Sequence, residues 1–328
     1  MDNKLNFIKT DKSFKYSVNI KFDIGDIEKL NQYIPTKRSV NLFRELFESF
    51  NMNTTSRAHL LIGSYGTGKS LFATILGTII SNKQNIDNYD KFLKKIKKYD
   101  NNLHSNIDNE LNNKKPYLII LPSTDNNTFK KSMLLSLKKA LKENNIEDIF
   151  PSTYFDAVLE KLNQWKKEFE DTYNEFERHL MNEKGENINS FIEKINNYDQ
   201  SSYEYFEEIY PKLTSGGNFD SFYGCDLNKI YQSVNREIKK KGFQGIYIIF
   251  DEFNKLLEDN IEEFDGKKLQ DFAEMATRSK ENEIHLLLIS HKNLIQYTSS
   301  LDQQKINEWK KIEGRFKILN ASQYSSEI

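Results

Sequence analysis

The stretch Gly63-Ser64-Tyr65-Gly66-Thr67-Gly68-Lys69-Ser70-Leu71 spaces a glycine four residues ahead of Gly-Lys-Ser. Glycines at 63, 66 and 68 let a backbone curl tightly and bring its N–H groups close to an anion, because none carries a Cβ. A lysine and a hydroxyl at the end of such a curl suit a phosphate chain and a hard cation. A helix starting near Lys69 aims its positive dipole end at the same point. Lys69 is then expected to reach the β- and γ-phosphates of ATP, and Ser70 to ligate Mg²⁺. A second pair, Asp251-Glu252, closes the apolar run 246–250. Asp251 is placed to hold Mg²⁺, directly or through water, and Glu252 to polarise an attacking water. On its own the pair reads as a helix N-terminus carrying two acids. Together with the glycine loop it reads as hydrolysis.

Two more positions join the candidate catalytic set. A fourth strand, 285–289, ends in Ser290-His291, and either residue could face a γ-phosphate from the neighbouring strand. Arg315 precedes a last, mostly apolar run, 316–319. It reads equally as an arginine finger reaching a neighbouring subunit's nucleotide or as a surface residue.

The elements that must position these groups alternate between strand and helix. Leu60, Leu61 and Ile62 form a short strand before the loop, and Leu71, Phe72, Ile75 and Leu76 give a helical apolar face after it. Residues 246–250 are continuously apolar, as a central parallel strand is. Acids at its C-terminal end sit where open α/β sheets place ligands. Residues 116–124 read as another strand, followed by a helix with Phe129, Met133, Leu134, Leu137 and Leu141 inward. Upstream, residues 1–36 alternate in short runs with a turn at Gly25 and read as strands. The segment 39–50 places Leu42, Phe43, Leu46, Phe47 and Phe50 on one helical face. Tyr33–Arg38 reads first as a proline-containing helix entry, with a base contact as the alternative. Five lysines between Lys91 and Lys98 read as a solvated helix face.

Residues 151–224 break the rhythm. Phe155, Val158, Leu162, Trp165, Phe169, Tyr173, Phe176 and Leu180 recur at steps of three and four and predict one long amphipathic helix. A second helical stretch spans about 188–210, and the two are expected to pair as a hairpin whose aromatic stripe packs internally rather than on a partner. The expected organisation is one domain over 1–328: N-terminal strands and a helix to 58, a core of 59–150 and 225–320, and the helical insertion 151–224.

Composition narrows the classes. The 328 residues are 38% hydrophobic and 29% charged, with a formal net charge of −1, so no global basic field points to nucleic acid. Cys225 is the one cysteine, which excludes an intrachain disulfide and a cysteine-rich metal site. No run reaches membrane-spanning length and the first residues lack an apolar signal stretch, so a cytoplasmic protein without membrane contact is expected. GTP is disfavoured, since "SHKN" after the fourth strand does not match an Asn-Lys-x-Asp base-reading motif.

The order strand, glycine loop, helix, strand, helix, Asp-Glu strand, polar-ended strand and Gly-Arg-Phe resembles the AAA+ ATPases over residues 40–320. Within that superfamily, "GSYGTGKS", "IIFDEFNKLLE" and "EWKKIEGRF" are similar to the BrxC- and PglY-type ATPases of bacterial phage-defence (BREX) systems. The resemblance implies an α/β fold of the P-loop NTPase (AAA+-like) type, a parallel sheet flanked by helices with a helical insertion. It implies Lys69 and Ser70 on nucleotide and Mg²⁺, Asp251 on the metal, Glu252 as base, a polar sensor near His291, and a finger at Arg315. A homo-oligomer or a multi-protein complex is expected, with DNA reached through partners. The chain departs from the family pattern by ending soon after its fifth strand, without a helical lid, which reads as an N-terminal part or short form. A nucleotide-dependent switch whose insertion docks a partner is the alternative to an ATPase.

Overall fold

The computed structural model describes residues 18–51, 54, 56–81, 86–124, 128–150, 153–197, 199–217, 219 and 226–322. Five strands form one sheet: β1 (Ala58–Ile62), β2 (Leu118–Ile120), β3 (Ile246–Phe250), β4 (Ile284–Ser290) and β5 (Lys317–Asn320). All neighbours pair in parallel, in the order β2-β3-β4-β1-β5. The central strands β3 and β4 are buried along their whole length, which is why their sequences are apolar without alternation. The fold class is therefore α/β with an all-parallel sheet flanked by helices. From β1 the chain runs to the far edge at β2, returns strand by strand to β4, and then jumps across β1 to β5. Connections leaving β1 and β4 thus diverge, and their C-terminal ends bound a crevice of the kind that takes ligands.

The chain divides into two compact units, residues 1–146 with 235–328, and residues 147–234. Before β1, the first unit holds three helices, not strands: α1 (Ile20–Asp23), α2 (Ile27–Gln32) and α3 (Lys37–Glu48). This corrects the reading of residues 18–36; residues 1–17 lie outside the described part. The side chains of Asn19, Asp26 and Thr36 accept backbone N–H groups at the three helix starts. Those caps outweigh the two-residue alternation of Val18, Ile20, Phe22 and Ile24. Ile20 and Ile24, four apart, face the core, and Phe22 between them is exposed.

The loop after β1 leads into α4 (Lys69–Ser81), whose residues 72–81 are buried on every side. α1, α2 and β2 pack on it, as does α6 (Asn101–Asn113), which follows α5 (Asp90–Lys97). A helix so enclosed carries apolar residues all round rather than on one stripe. On α5, Phe92, Leu93 and Ile96 are buried, and Lys91, Lys94 and Lys97 face solvent. After β2 comes α7 (Phe129–Glu143), with its five expected apolar residues buried.

In the second unit the expected long helix is broken. α8 (Thr153–Glu168) and α9 (Glu170–His179) meet at Phe169, whose φ of −138° and ψ of 60° leave the helical region. The break turns Phe169 outward, half exposed, whereas the other seven residues of the stripe are buried. α10 (Ile188–Asn196) and α11 (Gln200–Leu213) complete a four-helix cluster. Its core is aromatic: Trp165 stacks on Tyr210 at 5.4 Å, and Phe176 lies 5.2 Å from Phe191 and 5.4 Å from Phe206. The expected hairpin of two helices is thus a bundle of four. α12 (Leu227–Lys240) leads to β3, and α13 (Asn254–Asn260), α14 (Gly266–Thr277) and α15 (Gln303–Glu313) belong to the first unit. Cys225 lies outside the described residues. Among them, no helix is long and apolar enough to cross a membrane.

Candidate functional site

The glycine loop leaves the C-terminal end of β1 and turns into α4. Gly66 and Gly68 take φ of 80° and 79°, a left-handed conformation that side-chain-bearing residues avoid. Lys69 is the first residue of α4 and is buried. Its Nζ donates to the carbonyls of Gly63 at 2.6 Å and Ser64 at 3.0 Å, so the ammonium sits inside the loop it closes. Burial pushes its pKa below the ordinary lysine value, partly offset by Asp251. Thr67 Oγ1 donates to Ser64 O at 2.9 Å and braces the loop, and Tyr65 projects into solvent at 92% exposure.

From the first turn of α4, the Ser70 hydroxyl donates to Asp251 Oδ2 at 2.8 Å. That contact joins residues 181 apart in sequence, one from the start of α4 and one from just past the end of β3. Asp251 Oδ1 accepts the Glu252 N–H at 2.9 Å. Burial raises the Asp251 pKa, against the two hydrogen bonds and Lys69 that stabilise its charge. Two oxygen donors side by side in this way suit a hard divalent cation. Loop amides, the α4 dipole and Lys69 suit a phosphate chain. The residues present therefore fit Mg²⁺ and a nucleotide phosphate.

Glu252 stands next to Asp251 in sequence and has a different partner. It takes φ of 53°, uncommon for a residue with a side chain, and its carboxylate pairs with Lys255 Nζ at 2.5 Å. Both acids border a cavity of about 310 Å³ with Asn19, Lys21, Ser123 and Thr124. A separate cavity of about 520 Å³ lies over the glycine loop. Ser64, Gly66, Thr67, Gly68, Lys69 and Leu71 form one wall; Tyr33, Ile34, Thr36, Arg38 and Ser39 form another; Ala321 and Ser322, beyond β5, close it. Tyr33–Arg38 is the helix entry that its proline suggests: Thr36 and Ser39 make a capping box. It also borders the loop cavity, a position that the alternative reading as a base contact requires.

Ser290 ends β4 opposite Ile62, the last residue of β1. Its hydroxyl lies 3.0 Å from Tyr297 OH and is already engaged. His291 has its ring centroid 6.3 Å from that of Tyr65, and its Nδ1 is buried without a hydrogen-bond partner in the described structure. Of the two sensor candidates, His291 is the one with spare capacity beside the loop.

Arg315 is not brought to the loop. It precedes β5, so it lies at the N-terminal edge of a parallel sheet whose loop site is at the C-terminal edge. A strand of five residues separates those edges by about 17 Å. Nor is it free: its Nε pairs with Glu274 Oε1 at 2.9 Å. Comparison with family models, curated proteins and solved structures returned no match.

Proposed function

We propose that the chain is a P-loop ATPase of AAA+-like type that binds Mg-ATP on residues 63–71 and hydrolyses it to ADP and phosphate. The observation that supports this reading is the Ser70–Asp251 hydrogen bond, which brings the glycine loop and the acid pair together in space although 181 residues separate them in sequence. When bound, Mg²⁺ would neutralise charge on the phosphates between Ser70 and Asp251. The loop amides and Lys69 hold the phosphate chain, with Lys69 exchanging its two carbonyl partners for phosphate oxygens. Glu252 turns from Lys255 to accept a proton from the attacking water. His291 offers its free ring nitrogen from the β4 end. Arg315 lies too far to serve its own chain, so a finger role requires a neighbouring copy and release from Glu274. Coupling of turnover to a partner or DNA-associated assembly, in phage defence as the motif resemblance implies, is part of the proposal.

The test is steady-state ATP hydrolysis by the purified chain over a concentration series. Lys69→Ala is expected to abolish nucleotide binding, and Glu252→Gln to keep binding and lose turnover. Normal ATP binding by Lys69→Ala would overturn the site; unchanged turnover in Glu252→Gln would remove Glu252 as the base. A rate per molecule that climbs with concentration would indicate sites completed between copies.

A further inference from the structure

The cavity over the glycine loop is lined by two cationic side chains, Lys69 and Arg38, and by no carboxylate among the described residues. Arg38 sits in the first turn of α3 and reaches across to the end of β5, where its Nε donates to Asn320 O at 2.5 Å. That leaves the Nη1 and Nη2 hydrogens, four of its five donors, without an acceptor in the described structure. Three other cations on the surrounding helices are engaged: Lys29 pairs with Asp23 at 2.5 Å and Arg44 with Asp100 at 2.6 Å. Lys95 donates to the carbonyls of Asn31 at 2.6 Å and Tyr33 at 2.9 Å. Arg38 alone of this group points an open fork into a cavity.

A guanidinium fixed through Nε by a backbone carbonyl keeps its planar fork in one orientation, which lowers the entropy lost when the fork meets a ligand. The natural complement of such a fork is a phosphate, bound by two parallel N–H···O bonds. A wall carrying two positive charges and the hydroxyls of Thr36, Ser39, Ser64, Thr67 and Ser322 favours an occupant with several negative charges. We propose that Arg38 contacts the phosphate chain of the bound nucleotide, as a second cation supplied by the same chain opposite Lys69. This rests on the nucleotide reading of residues 63–71. It also gives the α2–α3 segment a binding role beyond helix entry. The tie to Asn320 places that role at the end of β5, the strand beside β1.

The probe is inorganic tripolyphosphate, which has neither base nor sugar, measured by calorimetry beside ATP. Arg38→Gln removes the charge and keeps a donor for Asn320 O. It is expected to weaken both ligands by roughly ten- to a hundredfold, the range of a lost charge-assisted hydrogen bond. The ligand-free melting temperature should not move. Tripolyphosphate binding equal to wild type would overturn the proposal, and if ATP alone weakened it would place Arg38 on the base or sugar. A lower melting temperature matched by a proportional loss for both ligands would make Arg38 structural and overturn it too. Wild-type protein that binds neither ligand would sink the nucleotide reading itself, and this proposal with it.

Discussion

The two ends of the sheet both concentrate charge, and they treat it differently. At the N-terminal end, Glu283 precedes β4 and is 4% exposed. It accepts from Tyr117 OH, from Gln244 Nε2 at 2.8 Å, and from the His285 ring at 3.3 Å. Burial opposes its ionisation, and the hydrogen bonds from His285, Tyr117 and Gln244 outweigh that and hold it below the usual carboxylate range. Arg57, before β1, is fully buried and donates to Ser279 Oγ and Lys280 O. At the C-terminal end, Lys69 holds loop carbonyls, Glu252 holds an exposed lysine, and Arg38 and His291 keep open donors or acceptors. Charges buried and held by several partners at once serve the fold. Charges resting on backbone or solvent-facing partners can change partners at little cost, which is what ligand binding requires.

The largest effect expected from this contrast is on stability. Glu283→Ala would leave Tyr117, Gln244 and His285 without their shared acceptor, at a cost of about 3–5 kcal/mol. Asp251→Asn, at the other end, should change stability by about 1 kcal/mol or less while removing Mg²⁺-dependent nucleotide binding. Urea denaturation of both variants checks this, and an Asp251→Asn variant as unstable as Glu283→Ala would erase the distinction.

A smaller effect is the response to acid. His59, in β1, is held down near 3 by burial, with His285 and Lys317 adding to the shift. His285 is shifted down by burial as well, although Glu283 opposes this. Both histidines are neutral when folded, so their contribution is complete above the unfolded value of about 6.5 and is lost as pH falls below it. Glu110 runs the other way. Burial pushes it up to about 7 against its pairing with Lys114, so its contribution is present below about 4.5 and gone by pH 7. Between about 6.5 and 4.5, two histidine protons oppose one glutamate proton, and stability should fall by roughly 1.4 kcal/mol per pH unit. Below about 4.5 the slope should steepen as Glu283 joins. Chemical denaturation across pH 4–7 tests this, and a flat profile between 6.5 and 5 would mean that the buried histidines find protonated-state partners the fold does not show.

How much of this was legible depended on how local the cause is. The glycine loop and the run Ile246–Phe250 carry their own geometry, so the loop, β1, α4 and β3 could be read directly. Residues 18–36 could not, because helices of four and six residues are too short to show a 3.6-residue period, and their caps had to outvote an alternating pattern. The break at Phe169 lies inside an unbroken stripe with neither glycine nor proline, so nothing in the spacing marks it. Arg315 was legible in principle: a residue ahead of a parallel strand lies at the opposite edge from a loop that follows one. Arg38 was not, since its role depends on α3, the β5 end and the loop meeting in space.

The smallest effect tests whether the open end is held in a resting arrangement. The Glu252–Lys255 pair is half exposed on both sides, so it contributes at most about 1 kcal/mol. Lys255→Met should therefore leave stability within about 0.5 kcal/mol of wild type. The pair nonetheless holds the carboxylate that the proposed hydrolysis would turn toward water. Releasing it should raise ATP turnover, and the pair's own strength caps the gain at about fivefold, since 1 kcal/mol corresponds to that factor. The reading at saturating nucleotide separates two roles for the lysine. A modest rise means that Lys255 competes with the attacking water for Glu252. A fall in turnover means that Lys255 itself supports the reaction, and the cavity shared by Asp251, Glu252 and Lys255 would then belong to the chemistry rather than to its restraint.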